Sequence, residues 1–180
     1  MSVHHLMALL RSPASTGAVL PSSRYLANAM ADAAKGADAI LELGPGTGAI
    51  TAALVARWPA SAITAVEIQP ELAARLRARF PHVAVVQAPA SQVIDDWQQG
   101  EGQLVLVSSL PFRSLPQKVR EETVASLGRF LLHNPQRRLV QYTYQPRAPF
   151  APPAGLVWRR LRTIWRNTPP AGVWELRAAG

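Results

Sequence analysis

A length of 180 residues with 48% hydrophobic side chains suits one domain with one sizeable core, and the lack of any cysteine excludes a disulfide framework, a thiolate zinc site and a cysteine nucleophile. No apolar run approaches the roughly 20 residues that span a bilayer, and Met1-Ser2-Val3-His4-His5 has neither the basic start nor the long apolar stretch of a secretion signal, so a cytoplasmic protein is expected. The net charge of +8 is uneven: residues 1–101 carry 7 basic and 8 acidic side chains, residues 102–180 carry 12 and 3. A basic half beside a neutral one suits an anionic partner, either a phosphate backbone or an anionic lipid surface, and suits a solvated Arg-rich surface equally well.

Along the chain, Val3 to Arg11 form a short apolar, basic-tipped segment, and Ser22 or Ser23 can cap a helix running to about Ala34. Residues 1–35 thus read as an N-terminal helical segment serving the membrane or covering the cofactor, and residues 36–180 as the body of a single domain. Apolar, β-rich runs at 39–43, 62–66, 83–86, 104–107 and 139–144 predict strands. Helices are expected between them at 50–57, 70–80 and 116–132, the second opening with Pro70 in its first turn. Pro146 to Pro153 predict a long irregular loop. Near the end, 161–165 and 173–177 flank the turn-rich Asn167-Thr168-Pro169-Pro170-Ala171-Gly172 and predict an antiparallel hairpin. The class is therefore α/β: a mainly parallel, seven-stranded sheet with helices on both faces and its binding crevice at the carboxyl ends of the strands.

The first strand runs into Gly44-Pro45-Gly46-Thr47-Gly48 and then a helix, so backbone can approach a ligand where no Cβ intervenes. The helix start favours an anionic group such as a carboxylate. Glu67, with Ile68 beside it, ends the second strand at the spacing where an acid accepts hydrogen bonds from ribose hydroxyls. A glycine-rich turn alone is a weak signal. Leu41-Glu42-Leu43-Gly44-Pro45-Gly46-Thr47-Gly48 together with Glu67 is more specific, and resembles the motifs of the class I, Rossmann-like S-adenosylmethionine-dependent methyltransferases. That resemblance implies S-adenosylmethionine as cofactor, Glu42 beneath its amino group and Glu67 on its ribose. Where the family commonly places an acid to read the adenine, this chain has Gln87-Ala88-Pro89-Ala90, so recognition falls to backbone, Gln87 or Ser91.

After the fourth strand comes Ser108-Ser109-Leu110-Pro111-Phe112-Arg113-Ser114-Leu115-Pro116, where the family presents the atom to be methylated. Methylating an amine needs a neutral nitrogen aligned with the methyl group and stabilisation of the charge it acquires. Carbonyls and hydroxyls of Ser108, Ser109 and Leu110 can accept from the amine, and Phe112, with Tyr142 or Tyr144, can face the nascent ammonium. The string is similar to that of the bacterial phospholipid N-methyltransferases, as are Gly17 to Ser23, Tyr142-Thr143-Tyr144-Gln145-Pro146-Arg147 and Asn167-Thr168-Pro169-Pro170-Ala171. This resemblance implies a phosphatidylethanolamine substrate, peripheral attachment to the inner face of the membrane, and Arg113 and Arg147, with Arg159 and Arg160, as phosphate contacts. The runner-up is the rRNA adenine N6-dimethyltransferases, whose corresponding loop reads N-L-P-Y; Ser109-Leu110-Pro111-Phe112 lacks the Asn and the Tyr, which makes nucleic acid the second choice. A third reading is a degenerate methyltransferase fold acting as a binding module, motivated by Ala88-Pro89. No protein partner is inferred. The scattered His4, His5, His82 and His133 suggest no metal site, and core or hairpin packing is expected of Trp158, Trp165 and Trp174.

Overall fold

The structure, a computed structural model, describes residues 23–59 and 61–180. The expected segment Val3 to Arg11, the stretch Gly17 to Ser22, and His4 and His5 lie outside the described residues. Its elements are α1 (Arg24–Ala33), β1 (Ala39–Leu43), α2 (Ala49–Arg57), β2 (Ala62–Val66), α3 (Pro70–Arg79), β3 (Ala84–Val86), α4 (Ala90–Asp96), β4 (Leu104–Ser108), α5 (Gln117–His133), β5 (Arg138–Thr143), β6 (Leu156–Ile164) and β7 (Ala171–Ala178), with one 3₁₀ turn at Trp97–Gln99.

Seven strands form one sheet in the order β3-β2-β1-β4-β5-β7-β6. The first five run parallel, and β7 enters antiparallel between β5 and β6. The order reverses between β1 and β4, which opens a crevice above the carboxyl ends of those two strands. Successive residues of each central strand point to opposite faces, so the sheet carries two cores. Ile40, Val105, Val107 and Val140 pack against Leu26 and Met30 of α1 and Ile50 and Leu54 of α2. Leu41, Leu43, Leu106 and Leu139 pack against Val93 and Ile94 of α4 and Leu127, Phe130 and Leu131 of α5. Leu26 and Met30 are fully buried, which seats α1 against the sheet. Ser23 caps it by accepting the Leu26 N–H at 3.3 Å.

Two expectations need correction, and one helix stands where none is expected. Helix α4 was not legible: it has seven residues and opens at Pro89 without a side-chain cap. The terminal hairpin is longer than 161–165 with 173–177, because β6 extends to Leu156 and β7 spans Ala171–Ala178. Trp158 does pack, its ring edge-on to Phe150 with centroids 5.1 Å apart, whereas Trp165 is 78% exposed and packs into no core. The stretch Pro146 to Pro153 forms the expected loop.

Arg137 is a buried guanidinium that pairs with no acid among the described residues. It donates to the carbonyls of Gln98 and Gly100 at 2.8 Å each and of Phe130 at 3.3 Å, and lies over the Phe130 ring at 4.4 Å. Carbonyl oxygens at the end of the 3₁₀ turn thus find donors that the backbone does not supply.

Candidate functional site

Three backbone hydrogen bonds continue the sheet past its strand ends and bring the motifs together. The Gly44 N–H donates to Val66 O at 3.0 Å, Ser109 N–H to Leu43 O at 2.9 Å, and Glu67 N–H to Val86 O at 3.1 Å. The glycine turn, the acid after β2 and the loop after β4 therefore line one crevice.

Gly44, Gly46 and Gly48 all have positive φ, at 68°, 56° and 81°. Each is required for a different reason. A Cβ on Gly44 would come within 2.9 Å of Leu110 Cδ2, so the turn and the acceptor loop are in contact there. A Cβ on Gly48 would lie 2.7 Å from the Phe80 ring and 2.9 Å from Leu76, so this glycine lets α2 pack on α3. Nothing lies within 4 Å of a Cβ built on Gly46, so its amide-rich turn faces open space where a ligand can approach.

Glu42 is fully buried, and neither carboxylate oxygen has a hydrogen-bond partner of standard geometry among the described residues. Burial pushes its carboxyl up to about 8; Thr51 of α2, which faces it, opposes the shift, and the charge of Glu67 adds to it. A buried carboxylate that faces little more than Thr51 is costly unless something bound supplies further donors. Glu67 is 5% exposed and accepts the Gly46 N–H at 3.1 Å on Oε2 and the Gln69 N–H at 3.0 Å on Oε1. Burial raises its carboxyl too, against the backbone N–H groups of Gln69, Gly46 and Ile68. Two accepted bonds leave about two of its roughly four lone-pair sites free, enough for a pair of hydroxyls. An under-satisfied buried acid, an open glycine turn and a second acceptor carboxylate fit the ammonium, carboxylate and ribose of S-adenosylmethionine. Thr47 is exposed at the turn, with its carbonyl accepting from Arg79 at 2.9 Å, and Pro45 is buried beneath it. Gln87 and Pro89 are exposed and Ala88 half-buried, with no side-chain hydrogen bond pre-set toward an adenine.

The acceptor loop departs from its expected arrangement at one residue. Phe112 is 3% exposed and packs against Phe150 with ring centroids 4.6 Å apart, inside the core shared with α4 and α5. Tyr142 belongs to the core on the opposite face, edge-on to Tyr144 at 5.5 Å. The three rings therefore do not converge on one point, and Tyr144, half-buried after the end of β5, is the aromatic nearest to solvent. Ser108 is fully buried and its hydroxyl accepts the Leu110 N–H at 3.2 Å, while Ser109 is half-buried. Arg113 donates to Ala148 O at 3.0 Å, which brings it beside exposed Arg147. Of the other arginines, Arg159 pairs with Glu175 at 3.2 Å and Arg160 lies over the Trp174 ring at 5.7 Å. On this packing, Phe112→Ala removes a buried aromatic ring and lowers unfolding stability by about 3–5 kcal/mol, which denaturant titration reads directly. Turnover then falls with the fraction folded.

Gln141 escaped sequence reasoning. It lies beside Ser108 in the β4–β5 register, 2% exposed, and its amide nitrogen donates to Leu110 O at 3.2 Å and Tyr142 O at 2.9 Å. Both partners are carbonyls, which fixes the nitrogen toward them and leaves Oε1 as an unpartnered buried acceptor at the acceptor loop. A polar residue inside an otherwise apolar strand was its only signal.

The family model described as "Methyltransferase domain" matches residues 40–134, from β1 through α5. The chain belongs to this methyltransferase family. The ribosomal RNA small subunit methyltransferase A of Bordetella avium is 43% identical over 77 residues, 42% of this chain and 28% of that protein. Its counterpart in Synechococcus is 34% identical over 111 residues, 60% of this chain and 39% of that protein. The chain thus spans well under half the length of these relatives. Among solved structures, a TehB-like S-adenosylmethionine-dependent methyltransferase from Corynebacterium glutamicum aligns over 98% of both chains with TM-score 0.59 at 19% identity. The 23S rRNA methyltransferase ErmE aligns over 86% of this chain and 67% of its own with TM-score 0.53, also at 19% identity. The expected Rossmann-like methyltransferase fold, with its antiparallel C-terminal strands, is the fold observed.

Proposed function

We propose that this chain is an S-adenosylmethionine-dependent N-methyltransferase whose acceptor is the amine headgroup of phosphatidylethanolamine and its methylated intermediates. When bound, S-adenosylmethionine supplies a methyl group on a sulfonium, which an amine nitrogen accepts in one displacement while the sulfur keeps the electron pair of the broken bond. The protein's part is alignment and charge. Glu42 and Glu67 hold the cofactor's cationic and hydroxyl groups, and the Gly44–Leu110 contact sets the turn against the acceptor loop. Carbonyls and hydroxyls of that loop, with Gln141 Oε1, accept the amine's N–H groups and stabilise the charge it gains.

The burial of Phe112 carries the reading. A flipped nucleobase is held by stacking on exposed aromatic faces, and this loop offers backbone and hydroxyl acceptors instead, which suit a small aliphatic amine. The likeness of the Ser109-to-Pro116 string to phospholipid N-methyltransferases and the basic balance of residues 102–180 support the same choice. A second reading, an rRNA adenine N6-dimethyltransferase, is favoured over the lipid by the names of the relatives, over the 77 to 111 residues they share. Incubation with methyl-labelled S-adenosylmethionine, phosphatidylethanolamine in detergent micelles and ribosomal RNA separates the two. Label is expected in mono- and dimethylated headgroups; label in RNA adenine, with none in lipid, replaces the first reading by the second. No binding of S-adenosylmethionine by calorimetry would leave only the degenerate binding module.

A further inference from the structure

The turn between β6 and β7 is unlike the rest of the surface. Trp165 at its start is 78% exposed, more than any other large apolar side chain among the described residues. Thr168, Pro169 and Pro170 beside it are exposed as well. Two arginines collar this apolar tip: Arg166 lies over one side of the Tyr25 ring at 5.4 Å, and Arg24 over the same ring at 4.9 Å while donating to its hydroxyl at 3.0 Å. Neither guanidinium meets a carboxylate among the described residues, so both charges remain available to an outside anion.

The turn is also well placed and firmly held. Ile164 pairs with Ala171, and Gly172 pairs in turn with Thr143 at the carboxyl end of β5. Since Ser108 and Leu43 sit at that same end of β4 and β1, the turn stands on the rim of the sheet edge that bears the crevice. Asn167, 4% exposed, fixes it: its amide donates to Pro169 O at 2.7 Å and its Oδ1 accepts the Ser23 N–H at 3.2 Å.

We propose that the β6–β7 turn, with Trp165 at its tip and Arg24 and Arg166 as its collar, docks the chain on an anionic bilayer, and that this turns the crevice toward the lipid headgroups. An indole and two prolines suit the headgroup boundary, where the ring's apolar body and polar N–H are both accommodated, and guanidinium groups beside it meet lipid phosphates. RNA fits the patch less well: the apolar tip would go unused, and the Tyr25 face is already covered. The proposal rests on the lipid reading of the acceptor but uses none of its residues.

The absence of native cysteine allows a site-specific test on the full chain. Thr168→Cys at the turn and Gln136→Cys, exposed before the amino end of β5, each carry an environment-sensitive fluorophore. With vesicles of phosphatidylcholine and phosphatidylglycerol, the label at 168 shifts to the blue and the label at 136 does not. Arg24→Gln combined with Arg166→Gln lowers partitioning about tenfold. Trp165→Ala lowers it too, with the melting temperature unchanged, and both variants still methylate phosphatidylethanolamine in detergent micelles. A protein that sediments with vesicles while the label at 168 stays unshifted overturns the docking surface and leaves the lipid reading intact. A label at 168 that responds to structured RNA and not to vesicles overturns it as well. Failure of the unmodified protein to methylate lipid in micelles sinks the lipid reading instead, whatever the labels show.

Discussion

Replacing Glu67 by alanine lowers affinity for S-adenosylmethionine roughly 10- to 100-fold, since a charge-assisted acceptor contributes about 1.5–3 kcal/mol and each 1.4 kcal/mol is a factor of ten. The side chain does two things at once. It offers its remaining lone pairs to ribose hydroxyls, and by accepting the Gly46 N–H at 3.1 Å it holds the glycine turn in the shape that admits the ligand. Glu67→Gln distinguishes them. One end of an amide can still accept a backbone N–H, but its NH₂ group cannot replace an oxygen that accepts from Gln69 at 3.0 Å. The glutamine variant therefore recovers only part of the affinity. Calorimetric titration with S-adenosylmethionine, alongside a melting curve that confirms the fold, measures both. An unchanged dissociation constant for the alanine variant would remove Glu67 from the cofactor site.

The sequence made the cofactor half of the site readable because the chemistry there is local. The spans of β1 and β2 agree with the apolar, β-rich runs in the sequence, and the ladder between them places Leu43 opposite Val66 and so brings the glycine turn beside Glu67. The acceptor half depends on contacts distant in sequence. Phe112 is an aromatic in a polar loop, which reads as available, until Phe150 folds over it from the loop after β5. Gln141 gains its role only when Leu110 arrives beside it, and Arg137 looks like one more basic residue until three carbonyls surround it. In β6 the run Arg159-Arg160-Leu161-Arg162 hides the strand, because an edge strand with charged residues shows little apolar alternation. Trp165 errs the other way: aromatic residues in hairpins usually pack, and this one stands exposed at a turn.

The stability of the ligand-free protein is expected to fall as pH rises from 5 to 8, and Glu42 is the group responsible. In the unfolded chain its carboxyl titrates near its ordinary 4.5, and in the folded protein burial pushes it up to about 8. Below the lower value it is protonated in both states and carries no penalty. Between the two values the folded state binds a proton that the unfolded state has released, so stability declines with each pH unit until the folded carboxyl ionises, and levels off above about 8. The full effect is on the order of 5 kcal/mol, because one pH unit of difference corresponds to roughly 1.4 kcal/mol. Glu42→Gln, which cannot ionise, should flatten this slope, and the difference between the two melting profiles isolates the contribution from other titrating groups. Binding runs the opposite way. The cofactor's ammonium is best met by the ionised carboxylate, so S-adenosylmethionine affinity should rise up to tenfold per pH unit between 6 and 8, with as much as one proton released at neutral pH. Calorimetry in two buffers of different ionisation enthalpy counts that proton. Binding that is independent of both pH and buffer would mean that Glu42 does not meet the ammonium, and its unpaired oxygens would need another partner.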